Sequence, residues 1–141
     1  MKTILVPIDL GDQAPGMALD EAVRLSTLSD GDLILLNVMA SLPTYMAAEI
    51  PDDLIERNRV HTTHALERLV AERNLPATTR VVAREGHAGH EILEFAEENA
   101  VDLIVMASHD PGVSTYVFGS VAAHVVRHAH CSVYVVRPRR R

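Results

Sequence analysis

The hydrophobic positions of the chain fall into five short runs that are rich in valine, isoleucine and leucine. Apolarity within each run is continuous rather than alternating, which is typical of strands covered on both faces, as in parallel sheets. The runs predict strands over Thr3–Ile8, Leu33–Val38, Thr79–Ala83, Leu103–Met106 and Val133–Val136.

Four segments between these runs carry apolar residues at spacings of three or four, the pattern of helices with one buried face. They predict helices over Pro15–Ser29, Asp52–Glu72, Gly89–Asn99 and Ser120–Ala129. Alternating strands and helices predict an α/β fold of a single domain, a five-stranded parallel sheet with helices on both faces. The segment Ala40–Pro51 is expected to be irregular, either a plain surface loop or a lid near the strand ends.

Composition narrows the class of protein. The chain has 141 residues, 48% hydrophobic and 23% charged, as expected for one soluble domain. Its net charge of −6 argues against a nucleic-acid partner. It has no apolar stretch long enough for a signal peptide or a membrane span, so we expect a cytoplasmic protein without a membrane partner. Cys131 is the only cysteine, and we expect it to be a small core residue in the last strand.

Two features at the predicted strand ends point to a phosphate-containing ligand. Asp9 follows the first strand, where its carboxylate would bind ribose hydroxyls or a cation, or would cap the first helix. Gly119-Ser120 opens the last helix after a loop that contains His109, which could donate to a phosphate. Helix starts favour phosphate, and ligands of α/β sheets bind beyond the carboxyl ends of the strands. The sequence therefore predicts a nucleotide or phosphate site.

The eight histidines raise the alternative of a metal site. His87/His90 and His124/His128 have helical spacings, but each pair would need a third ligand, and the pairs lie in different predicted elements. We therefore expect surface or helix-capping histidines rather than metal ligands.

The order of motifs along the whole chain strongly resembles the universal stress protein family. The segments that carry the resemblance are Ile4–Asp9, Leu35–Val38, Asp102–His109, Gly119-Ser120, Val125–Ala129 and Cys131–Arg137. The resemblance is closest to short members whose nucleotide loop reads Ser-His-x-Pro and then Thr-Tyr-x-x-Gly-Ser, as in Ser108–Pro111 and Thr115–Ser120. Residues 1–141 are thus identified as one universal stress protein domain.

The resemblance implies the sheet order 3-2-1-4-5 of the adenine-nucleotide alpha-hydrolase-like fold. In one branch of the family it also implies bound ATP with Mg²⁺ or Mn²⁺. Pro7 would then line the base pocket, the main chain of Val38 would read the adenine edge, and Asp9 would meet the ribose or a metal-linked phosphate.

The same resemblance assigns the phosphate side of the site to the last two predicted elements. The residues expected to pass under the ribose and phosphates are Met106, Ala107 and Ser108. Those expected to hold the phosphates at the helix start are Gly119, Ser120 and Val121.

The glycine pattern departs from that of the ATP-binding branch, which reads Gly-x2-Gly-x9-Gly-[Ser/Thr]. Ala107 and Asp110 stand at the first two glycine positions, and eight residues rather than nine separate Asp110 from Gly119. Gly112 lies two places further on and can supply a turn with Pro111. Because Asp110 adds negative charge near a phosphate, we expect ATP binding to be weakened but retained.

The function predicted on these grounds is regulatory: ATP occupancy alters a homodimer or the contact with an unidentified protein partner. The homodimer is expected to form through the last strand, Ser132–Arg137, an edge of the sheet. The alternatives are a slow ATPase or phosphotransferase, and a stress-protein dimer module that binds no nucleotide. The sequence has no P-loop, and Lys2 is its only lysine, so we expect hydrolysis at a trickle at most and no catalytic residue.

Overall fold

The structure is a computed structural model, and it describes residues 3–10, 16–41, 44–51, 53–108 and 119–137. The strands are β1 (Thr3–Pro7), β2 (Asp32–Met39), β3 (Arg80–Glu85), β4 (Leu103–Ala107) and β5 (Ser132–Val136). The helices are α1 (Gly16–Ser29), α2 (Leu54–Glu72), α3 (Ala88–Glu98) and α4 (Ser120–His128). All nine predicted elements are confirmed, with bounds that shift by one or two residues.

One prediction about secondary structure was wrong. The segment Ala40–Pro51 was expected to be irregular, whereas Thr44–Glu49 forms a 3₁₀ helix. Tyr45 in this helix is 82% exposed, so its side chain does not anchor the turn to the core.

All five strands pair in parallel in the order β3-β2-β1-β4-β5, which confirms the predicted topology. Helices α1 and α2 pack on one face of the sheet, and α3 and α4 pack on the other. The side chains of β1 alternate between the two cores: Ile4 and Val6 face α1, and Leu5 faces α3 and α4. All three are fully buried, because helices cover both faces of the central strand.

The helices α1, α2 and α3 end in the same way. Residues Asp30, Asn74 and Ala100 have positive φ angles of 55°, 51° and 49°. Each is followed by a backbone N–H that reaches back to the last turn, as in the bond of 3.1 Å from Gly31 to the carbonyl of Ser26. This is the Schellman motif, which satisfies carbonyls at a helix end.

The described helices include none that is long and apolar enough to cross a membrane.

Candidate functional site

Strands β1 and β4 are joined at their amino ends and separate toward their carboxyl ends. At the amino ends, the N–H of Asp102 donates to the Thr3 carbonyl at 2.9 Å, and the Thr3 N–H donates to Asp102 Oδ2 at 2.9 Å. The paired register of the two strands then ends at Leu5 and Ile104, whereas β1 pairs with β2 as far as Pro7. A crevice therefore opens between β1 and β4, at the point where the strand order reverses.

Hydrogen bonds hold each wall of this crevice to its outer neighbour. On the β1 side, the Ile8 N–H donates to the Leu36 carbonyl at 2.8 Å, and Asn37 Nδ2 donates to the Ile8 carbonyl at 2.8 Å. On the β4 side, the Ser108 N–H donates to the Val136 carbonyl at 3.0 Å. Since β1 stays with β2 and β4 stays with β5, the opening between them is part of the sheet geometry.

The start of α4 is tied to the end of β4. Gly119 is the N-cap, with extended backbone (φ −60°, ψ 156°), and its N–H donates to the carbonyl of Ser108 at 2.8 Å. The first bond of the helix runs from the Ala123 N–H to the Gly119 carbonyl at 3.0 Å. The N–H groups of Ser120 and Val121 therefore have no acceptor within the helix, and they lie at the positive end of its dipole.

The predicted site residues gather at this one edge of the sheet. Pro7 and Ala107 end their strands half-buried, Val38 lies near the end of β2, and Asp9 is exposed beyond β1. Met106 and Ser108 are each 5% exposed. Gly119 is buried, Val121 is half-buried and Ser120 is exposed. His109, Gly112 and Asp110 lie outside the described residues.

A second group of polar side chains, not predicted from the sequence, forms where α3 packs on α4. His87 precedes α3, and its ring centroid lies 6.3 Å from that of His124 on α4. The rings of His124 and His128 lie 4.6 Å apart. The two histidine pairs do lie in different elements, as expected, but the tertiary structure brings those elements into contact. His87 stands at the N-cap of α3, although its side chain makes no capping bond.

Gly89 permits this contact between the helices. A Cβ at position 89 would lie 2.7 Å from Cδ2 of His124 and 3.4 Å from its Cβ, so the imidazole rests directly on the α3 backbone. Burial in this position, followed by the nearby charges of His128, His87, His90 and Arg127, lowers the pKa of His124 below its ordinary value. This environment therefore favours the neutral imidazole.

A groove of about 390 Å³ continues from this cluster between α3 and the end of α4. The polar side chains that line it are His90, Glu94, Glu97, His128, His130 and Cys131. Cys131 lies one residue before β5, not within the strand as expected, and is half-buried against the core. Burial raises the pKa of its thiol, which is therefore protonated at neutral pH.

No sequence signal predicted the histidine groove by itself. The local signal that could have indicated it is Gly89 between His87 and His90, because a glycine within a helix often allows a neighbouring element to approach closely.

Comparisons with known proteins agree with the architecture. A model described as the universal stress protein family matches residues 1–137. Universal stress protein G of Escherichia coli O157:H7 is 31% identical over 144 aligned residues, which cover 96% of this chain and 99% of that protein. Among solved structures, universal stress protein UspA from Lactobacillus plantarum has a TM-score of 0.80 at 25% identity and covers 96% of this chain and 97% of its own.

A further neighbour in structure is a universal stress protein from Archaeoglobus fulgidus in complex with dAMP. Its TM-score is 0.69 at 20% identity, and the match covers 96% of this chain and 97% of that chain. At this identity the likeness concerns the fold.

Proposed function

This chain belongs to the universal stress protein family, and we propose that it is a regulatory protein that binds ATP with Mg²⁺ or Mn²⁺. The observation that carries the proposal is the crevice between β1 and β4 with the start of α4 beside it. Main-chain N–H groups at a helix start attract phosphate, and the gap between diverging parallel strands accepts a base and a ribose. The dAMP complex of a protein with the same fold is consistent with an adenine nucleotide as the ligand.

The proposed roles follow from position. Pro7 and Val38 flank the base, Val38 through its main chain, and Asp9 meets the ribose or the metal ion. Met106, Ala107 and Ser108 run beneath the ribose and phosphates, and Ser120 and Val121 donate main-chain N–H groups to the phosphates. Gly119, whose N–H is bonded to Ser108, shapes the turn and leaves room for the phosphates. His109 and Gly112 belong to the proposed loop, outside the described residues.

We propose that nucleotide occupancy, rather than turnover, is the output of this site. Phosphoryl transfer relies on positioned cations that stabilise the charge of the transition state. The sequence has one lysine, Lys2, and lacks a P-loop. Hydrolysis slower than about 1 s⁻¹, the low end of ordinary enzymes, is the expected result of an ATPase assay. Faster turnover would favour the alternative of an ATPase or phosphotransferase.

Titration calorimetry with ATP and Mg²⁺ tests the site. Two aspartates at opposite ends of the parallel strands offer a matched comparison. Asp9 follows the carboxyl end of β1, whereas Asp32 begins β2 at the amino end, and both are exposed. Asp9→Asn should weaken binding about tenfold through a lost ribose or metal contact, and Asp32→Asn should leave it unchanged. Equal affinities for both variants would place the nucleotide elsewhere. Absence of binding by the wild type would favour a dimer module without nucleotide.

We also propose that two copies of the chain pair through β5. In the described sheet β5 is an edge strand that pairs with β4 alone. The Val136 carbonyl points to β4, where it accepts from Ser108, so the N–H and C=O of Val133 and Val135 point to the open edge. Antiparallel pairing of two such edges gives a closed two-fold dimer and places both nucleotide crevices on one assembly.

Val135→Pro removes one of these outward N–H groups without removing a donor to β4. Light scattering at micromolar concentration should report a dimer for the wild type and a monomer for this variant. Circular dichroism provides the check that the monomer is folded. A monomeric wild type would contradict the proposal.

A further inference from the structure

Two pairs of side chains of types that can bind metal ions lie on α3 and α4, beside the groove that His90, Glu94 and His128 line. On α3, His90 and Glu94 are four residues apart, and His90 Nε2 lies 3.1 Å from Glu94 Oε2. On α4, His124 and His128 are also four residues apart, with ring centroids separated by 4.6 Å. Residues at this spacing lie on one face of a helix, so each pair can direct two ligand atoms at one point.

The packing of the helices turns the pairs toward each other. His124 rests on the α3 backbone at Gly89, the residue before His90. His90, Glu94 and His128 line the same groove. The imidazole of His90 and the carboxylate of Glu94 are 70% and 48% exposed, so both can change rotamer without disturbing the core. Three of these four side chains thus line one groove, and His124 lies beside it against α3. Among the described residues no group of three or more ligand atoms within 4.8 Å of one another spans both helices, so a site that uses all four requires such a change of rotamer.

The neighbouring carboxylate, Glu91, is engaged elsewhere. The ligand atoms of His90, Glu91 and Glu94 lie within 4.8 Å of one another. Glu91 Oε2, however, lies 3.4 Å from the guanidinium Nη1 of Arg84, which is itself held by Glu98 at 2.6 Å. Glu94 has no such cationic competitor among the described ion pairs, apart from His90 itself.

We propose that His90 and Glu94 of α3 and His124 and His128 of α4 form a binding site for a divalent transition-metal ion, of which Zn²⁺ suits the ligand set. Three imidazoles and one carboxylate are ligands that Zn²⁺ takes in a tetrahedral site. A site with three imidazole ligands should bind the harder ions Mg²⁺ and Ca²⁺ poorly, because these ions prefer oxygen ligands. This site is separate from the nucleotide crevice and does not depend on the proposed nucleotide function.

The test is competition for Zn²⁺ between the untagged protein and a chromophoric chelator. The wild type should bind one Zn²⁺ per chain, and the double variant His124→Ala/His128→Ala should bind at least about tenfold more weakly. The matched control is His61→Ala/His64→Ala, which removes two exposed histidines from α2 and should retain the affinity of the wild type. An equal loss in the control would show that any surface histidines suffice and would overturn the site.

His90→Ala provides a second variant in case the double variant does not fold, because His90 is largely exposed. It should also lower the affinity for Zn²⁺. Thermal unfolding supplies an independent readout: at one fixed Zn²⁺ concentration, the Tm of the wild type and of the α2 control should rise, and that of His90→Ala should rise less. Failure of the wild type to compete for Zn²⁺, or an unchanged affinity in His90→Ala, would refute the proposal.

Discussion

The two ends of helix α4 present different chemistry to different parts of the molecule. At its start, Gly119 is bonded to the end of β4, and the main-chain N–H groups of Ser120 and Val121 have no acceptor within the helix. At its other end, His124 rests on the α3 backbone at Gly89, and His128 lines a groove with His90 and Glu94 of α3. The start depends on backbone donors that every helix has, and the end depends on side chains contributed by two helices.

This difference explains why one end was predicted from the sequence and the other was not. A glycine and a serine at a helix start form a local motif, and the backbone of that motif determines its chemistry. A cluster of three histidines and one glutamate from two helices requires a tertiary contact, which no local pattern reports. The two ends can be separated experimentally, because a change at one should leave the ligand of the other bound.

The largest effect is expected from Gly119→Val. Gly119 is buried at the turn between β4 and α4, so a branched side chain there would occupy the space proposed for the phosphates. Calorimetry should show affinity for ATP reduced by at least about 100-fold. Binding of Zn²⁺ at the far end of the helix should persist, and its loss would indicate that the variant has unfolded α4 rather than blocked a site.

Gly89→Ala should have the opposite effect, because it changes the contact of α4 with α3 and not the start of α4. The added methyl would lie 2.7 Å from the His124 ring, so ring and helix must move, at a cost of about 1–3 kcal/mol. Affinity for Zn²⁺ should fall about tenfold, and affinity for ATP should not change. Gly16→Ala is the matched control, because its methyl would meet only the flexible end of Arg73. If both variants are equally stable, α3 and α4 do not pack as closely as described.

The dependence of the free energy of unfolding on pH tests the environment of His124, on the side of α4 that packs against α3. The pKa of His124 is lowered below its ordinary value of 6.5, chiefly by burial. The charges of the surrounding His128, His87, His90 and Arg127 lower it further. The unfolded chain then binds the proton more readily than the folded chain, so stability is complete above about pH 6.5 and declines as pH falls through the folded pKa. Urea unfolding at several pH values should show this decline for the wild type without metal.

His124→Gln should reduce that decline in stability, because the variant has no proton to gain at this position. His61→Gln on exposed α2 serves as the control and should retain the slope of the wild type. An identical slope in wild type and His124→Gln would mean that the folded protein accommodates the charged imidazole.

The smallest effect is expected at the end of α3. Ala100 adopts φ 49° in the Schellman turn, a conformation that costs residues with a Cβ about 1–2 kcal/mol and that glycine adopts freely. Ala100→Gly should therefore raise the free energy of unfolding by about 0.5–1 kcal/mol. Asn74→Gly, in the equivalent turn after α2, should gain less, because asparagine tolerates this conformation better. Denaturant unfolding measures both, and a loss of stability in Ala100→Gly would contradict this account of the turn.

Sequence patterns predicted the elements of the fold because each has a local cause. Continuous apolar runs such as Leu33–Val38 form strands covered on both faces, and spacings of three or four residues form amphipathic helices. The 3₁₀ helix at Thr44–Glu49 was missed because its bonds lie within the backbone and leave no apolar pattern. The position of Cys131 just before β5 was missed by a single residue, since strand ends carry no sharp signal.

The sequence by itself determined the parallel α/β architecture, the family and the edge of the sheet where Asp9 and Gly119 lie, because strand direction places these ends together. Only the tertiary structure decided that β1 and β4 separate after Leu5 and Ile104, since that depends on which neighbour holds each strand. It also decided that His124 rests on Gly89. Both features arise from contacts between residues far apart in the chain, whose geometry no short window of sequence contains.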